Sequence, residues 1–146
     1  MVSVTTRSLL FLAMGLLITA CSASTQAQVA TPVSLAGETN APALAAAERG
    51  ELGKPVIVFF HAQWCHICQK VRPDVAALEE AYRDSVVVVR MDIDAIDSRA
   101  AVGRYRVSAT PTFVLLSAQG SMLATIPGWP GKAGMERTIA QMLETD

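Results

Sequence analysis

Alternating strand-like and helix-like stretches predict an α/β fold, a three-layer sandwich in which a mixed central sheet is flanked by helices. Three observations carry that expectation. Val56 to Phe60 and Ser85 to Met91 are apolar runs of strand length, the second holding four successive valines, as in interior strands covered on both faces. A helical pattern separates the two runs. Near the C-terminus two further apolar stretches flank Ala118-Gln119-Gly120-Ser121, the signature of a hairpin.

The elements follow in order. Met1 to Arg7 carries one positive charge, and an apolar stretch from Ser8 to Ile18 leads to Thr19-Ala20-Cys21, the layout of an export signal. Its apolar part is short of the roughly 20 residues that a spanning helix needs, so a signal is expected over residues 1–20 rather than a transmembrane anchor. Residues 21–40 are rich in Ala, Ser, Thr and Gln and read as a tether, with a short strand at Val33 to Leu35. The folded domain is expected over 41–146. Ala41 to Glu51 holds helix formers with Pro42 near its start. From Cys65 to about Tyr82 the pattern is helical, with Val71, Val75, Leu78 and Tyr82 on one face, and Pro73 predicts a kink. Asp97 is expected to cap a helix reaching Tyr105. Thr112 to Leu116 and Met122 to Ile126 form the hairpin strands, and Lys132 to Leu143 a last helix. Strands separated by helices predict parallel pairing, with the hairpin as an antiparallel edge.

The 146 residues allow one ordinary domain and a short extension. With 51% hydrophobic and 17% charged residues the chain suits a packed core. Its formal charge is -1; Arg7 is the sole charge among the first twenty residues, and without them 11 basic and 13 acidic residues leave -2. No basic run or basic-aromatic interleaving occurs, which argues against nucleic acid as a partner.

Cys65 and Cys68 sit two residues apart where the first apolar run gives way to the helix. A thiol at that junction lies over unpaired backbone amides, which favour the thiolate. Cys65 is therefore the expected nucleophile. Cys68, three residues on, comes round to the same helix face within reach of a disulfide, which makes it the expected resolving thiol. A static bridge is the competing reading, but so short a loop removes little unfolded-state entropy. The third cysteine is informative too. Ile18-Thr19-Ala20-Cys21 resembles the bacterial lipobox, which implies that Cys21 is lipidated and becomes the first residue of the mature protein. An ordinary secretory signal would instead release the protein to diffuse.

A C-x-x-C after a buried strand reads as a thioredoxin-like redox motif, and further positions over residues 50–146 agree. Ala62-Gln63-Trp64-Cys65 resembles the approach to the thioredoxin-like superfamily's active site, and Pro73 falls where that family kinks its helix. Val107-Ser108-Ala109-Thr110-Pro111-Thr112 is similar to its cis-proline segment, and Gly120 and Gly128 match family glycines. The resemblance implies a cis bond before Pro111, a Thr110 backbone that pairs with an extended substrate, and Trp64 beside the reactive thiol. With the lipobox it resembles membrane-tethered envelope members, which serve disulfide maintenance or cytochrome maturation. Departures exist. Phe59 stands where many relatives bury a carboxylate beneath the cysteines, Arg90 replaces a lysine that accompanies it, and His66-Ile67 separates the cysteines. A histidine or water is then expected to collect the proton of Cys68.

Several positions stay open on sequence alone. His66, protonated, lowers the thiol pKa or is a solvent-exposed side chain; His61 is catalytic or packed; Trp129 docks a partner or covers the last helix; Arg90 pairs with Asp92 or reaches outward. The leading expectation is a thiol-disulfide oxidoreductase on the periplasmic side of a bacterial membrane, a monomer that acts as reductant on cysteine-containing envelope proteins. It carries no nicotinamide or flavin signature, so no cofactor is expected and a transmembrane electron carrier must recharge it. The alternatives are copper or other metal handling by Cys65, Cys68 and a histidine, and a redox-inert interaction domain. A complete four-ligand metal set is missing from the sequence.

Overall fold

The computed structural model describes residues 39–145. The expected signal, Cys21, the strand at Val33 to Leu35 and all but the end of the tether lie outside the described residues.

The elements run α1 (Ala41–Glu48), β1 (Val56–His61), α2 (His66–Tyr82), β2 (Val87–Asp92), a 3-10 turn (Ile96–Ser98), α3 (Arg99–Arg104), β3 (Thr112–Leu116), β4 (Met122–Pro127) and α4 (Lys132–Thr145). The four strands form one sheet in the order β2-β1-β3-β4. Asn40 opens α1: its side chain accepts the Ala43 amide at 3.1 Å while its own N–H donates to the Arg90 carbonyl on β2. β2 starts two residues later than the expected Ser85, because the amides of Ser85 and Val86 both donate to the Tyr82 carbonyl and close α2.

Connection length decides strand direction, and here one expectation is corrected. The 17 residues of α2 span about 26 Å, at about 1.5 Å per residue, enough to carry the chain back along the sheet. β1 and β2 are accordingly parallel. The six residues of α3 rise only about 9 Å, against about 20 Å for the six residues of β1. The chain re-enters the sheet from the end it left, and β3 runs antiparallel to β1, with Thr112 opposite Phe60. Asp97 does not cap α3 either. It lies inside the 3-10 turn, so Ser98 takes the cap position, without a side-chain bond to the helix.

Helices cover both faces of the sheet. On one, Cys68, Val71, Val75 and Leu78 of α2 and Met135, Ile139 and Met142 of α4 pack on Ile57, Phe59, Phe113 and Leu115. On the other, Leu44 and Ala47 of α1 and Ala101 of α3 pack on Val56, Val58, Phe60, Met91 and Leu116. Gly120 locks the hairpin against α1: at φ +83° a Cβ would strike the carbonyl oxygens of Glu48 and Ala47, the second at 2.6 Å, so only glycine permits this approach.

Candidate functional site

The site forms where the C-terminal end of β1, the N-terminus of α2 and the loop before β3 meet. Cys65 is the N-cap of α2, in extended backbone, and its Sγ accepts the Cys68 amide at 3.1 Å. That amide is one of the donors a helix start leaves unpaired, and it favours negative charge on the sulfur it faces. Cys65 and Cys68 are joined as a disulfide, their Cα atoms 5.2 Å apart. The two sulfurs are unequally placed, since Cys65 is 6% exposed and Cys68 is 0%. A partner approaching from solvent therefore meets Cys65.

Opposite the disulfide stands the Thr110–Pro111 peptide, which is cis. The Thr110 carbonyl oxygen lies 3.5 Å from Cys65 Sγ. Two contacts fix this loop: Thr112 Oγ1 donates to the Ala109 carbonyl at 2.8 Å, and the Gly128 amide donates to the Pro111 carbonyl at 2.8 Å. Beside the cysteines Trp64 is 64% exposed, yet it is anchored, because its indole Nε1 donates to Asp94 Oδ2 at 2.7 Å. Asp94 in turn donates its amide to Asp92 Oδ1 at 3.0 Å. Ile67, between the cysteines, is also exposed, so the surface beside Cys65 carries two large apolar side chains.

The structure brings Trp64, Cys65, His66, Cys68, Thr110 and Pro111 to one end of the sheet. His66 is exposed on the first turn of α2. His61 is buried, its ring centroid 5.1 Å from that of Phe59, with Arg72 Nη2 at 3.3 Å from Nδ1. Phe59 is fully buried and stacked on Phe113 at 4.9 Å, and Trp129 leans on Phe113 at 5.5 Å. Trp129 thus packs against the core, half-buried. Arg90 pairs with neither Asp92 nor solvent alone: its guanidinium meets Glu79 on α2 at 2.6 Å. Sequence reasoning missed Asp94, Glu79 and Arg72. The i to i+4 spacing of Cys68 and Arg72 was the available signal for the last, while the other two depend on pairings between elements.

Among the described residues, no group of three or more His, Cys, Asp or Glu side chains is gathered where it could hold a metal ion. Nor, among them, is any helix long and apolar enough to cross a membrane.

A helix N-terminus bearing the less buried of two bonded cysteines, faced by a cis-proline loop, is an arrangement suited to thiol-disulfide exchange. The chain belongs to the thioredoxin family, whose model matches residues 47–141. It is 32% identical over 76 residues to the "Thioredoxin-like protein HCF164, chloroplastic" of Arabidopsis thaliana, covering 52% of this chain and 29% of that protein. Identity is 34% over 91 residues to the "Thiol:disulfide interchange protein TxlA homolog" of Synechocystis, covering 62% of this chain and 51% of the relative. The chain therefore spans about half or less of the length of these curated relatives. Among solved structures, the germline-specific thioredoxin Deadhead of Drosophila melanogaster superposes with a TM-score of 0.58 at 28% identity, over 69% of this chain and 89% of that one.

Proposed function

We propose that this protein is a thiol-disulfide oxidoreductase that works outside the cytoplasm as a reductant, held on the periplasmic side of a bacterial membrane by lipid on Cys21. Residues 1–20 serve as the lipoprotein signal, 21–40 as the tether and 41–146 as the redox domain. In the reduced form the Cys65 thiolate attacks a disulfide of an envelope protein, forming a mixed disulfide and expelling one partner thiolate. Cys68 then attacks Cys65 Sγ, the mixed bond breaks, and the second partner sulfur leaves with its electron pair. Two electrons pass to the partner, and a transmembrane dithiol carrier returns two to the Cys65–Cys68 bond. Trp64 and the Thr110–Pro111 loop border the Cys65 sulfur and hold the partner chain there; His66 lies beside it in the first helical turn.

The observation that supports the exchange chemistry is the unequal burial of two bonded cysteines at one helix start; the envelope location rests on the lipobox resemblance at Cys21. The relative named as a thiol:disulfide interchange protein supports the exchange chemistry. Insulin reduction with dithiothreitol tests it: turnover is expected, and tight binding of copper or zinc by the reduced protein without turnover would overturn it in favour of metal handling. Direction is read from the potential of the Cys65/Cys68 couple. A value near about -270 mV marks a reductant and one near about -120 mV an oxidant.

A further inference from the structure

The buried ionisable side chains of the sheet, His61, Arg90 and Asp92, all stand on its α2-facing side. Arg90 is satisfied by Glu79, and Asp92 Oδ1 takes the Asp94 amide. His61 instead meets Arg72, which lies one turn beyond Cys68 on the same helix face. Helical side chains lean toward the N-terminus, so the Arg72 guanidinium is carried back toward the turn that bears Cys68. A guanidinium only donates. The imidazole therefore presents its Nδ1 lone pair, and the positive charge of the pair resides on Arg72.

We propose that Arg72, seated on His61, is a positioning residue for Cys68 whose charge favours the Cys68 thiolate when the mixed disulfide is resolved. This rests on the exchange reaction proposed above. Cys68 gives its proton to water, its sulfur bonds to Cys65 Sγ, and the Cys65–partner bond breaks. The partner sulfur takes that electron pair and then a proton from water. With Phe59 stacked in the core, charge assistance to Cys68 comes from a cation. The other groups near this end of α2 are His66 on α2, Asp92 on β2 and Asp94 in the loop after β2; Arg90 is held by Glu79, about three turns beyond Cys68 along α2, and β3 and α4 present Phe113, Met135 and Ile139.

Thiolate absorbance at 240 nm, followed against pH in the full chain carrying Cys65→Ser, isolates Cys68 once the Cys65→Ser/Cys68→Ser spectrum is subtracted. Arg72→Met is expected to move the midpoint up by about one unit, the low end of the effect of a neighbouring opposite charge. Arg72→Lys is expected to retain most of the shift. In protein with both cysteines, single-turnover release of the second thiol from a model peptide disulfide should fall about tenfold at pH 7 in Arg72→Met and converge with wild type at high pH. Superimposable titrations, an equal loss at every pH that lysine fails to rescue, or a shift produced by Asp92→Asn instead would overturn the proposal. Arg72→Gln replaces the methionine variant if that variant loses its far-UV circular dichroism. A wild-type chain that performs no exchange would refute the reaction, while the titration would still decide the role of Arg72.

Discussion

The two faces of the sheet are built from the same strands and differ in kind. The face under α1 and α3 is closed by aliphatic and aromatic groups: Val56, Val58, Phe60, Val89, Met91, Val114 and Leu116. The face under α2 and α4 holds an equally dry cluster but also the disulfide, His61, Arg90 and Asp92. Alternation along each strand makes this division possible, since neighbours such as Phe59 and Phe60 point to opposite sides. One face is thus free to serve stability alone, and the charges that bear on sulfur chemistry are confined to the other.

Substitutions on the two faces should separate accordingly. The largest effect is expected from Cys65→Ser, which should abolish insulin reduction while leaving the fold intact. Cys68→Ser should instead accumulate a mixed disulfide with partner protein, visible by non-reducing mass spectrometry. Activity retained in Cys65→Ser would mark a redox-inert domain. On the opposite face, Phe60→Ala removes a fully buried ring tilted against Tyr105 and should cost about 3–5 kcal/mol in urea unfolding. The exchange rate per folded molecule should stay unchanged, and a changed rate would break the division between faces.

Glu79→Gln is expected to be milder. It leaves the Arg90 charge buried without its partner, but Glu79 is itself 41% exposed. The loss should be about 2 kcal/mol, below the 3–5 kcal/mol typical of breaking a buried pair. The smallest effect belongs to Tyr105, whose hydroxyl donates to Glu48 Oε1 at 2.7 Å while Arg104 pairs with the other carboxylate oxygen. Burial first, and then the bond to Glu48, raise the Tyr105 phenol well above its ordinary value of 10.0. The phenol's contribution is therefore complete below about pH 10 and is lost as pH rises toward the folded-state value. Tyr105→Phe should cost about 1 kcal/mol at pH 7 and show a shallower loss of stability above pH 10 than wild type; an unchanged alkaline slope would contradict the assignment.

Local pattern was enough to place most of this architecture. Period and run length marked α2, β1 and the hairpin, and the strand-to-helix junction with its C-x-x-C placed the disulfide. The family resemblance added the cis bond before Pro111. What escaped depends on how far a connection reaches and on which elements face each other. The antiparallel course of β3 follows from the shortness of α3, which an expected helix from Asp97 to Tyr105 concealed. The strand pattern offers Arg90 only Asp92 or solvent, whereas its partner Glu79 lies across on α2. Trp64 was recognised beside the thiol, but its anchor, Asp94, sits 30 residues away. Periodicity describes one element at a time, so contacts made between two elements are invisible to it.

The central claim is that the bond between Cys65 and Cys68 opens and closes as one two-electron couple. Full-length protein equilibrated in glutathione buffers of graded potential, quenched by alkylation and weighed by mass spectrometry, tests it directly. Both cysteines should gain label together in a single transition that changes tenfold for about every 30 mV. A pair that stays bonded throughout, or labelling of one sulfur without the other, would contradict the account.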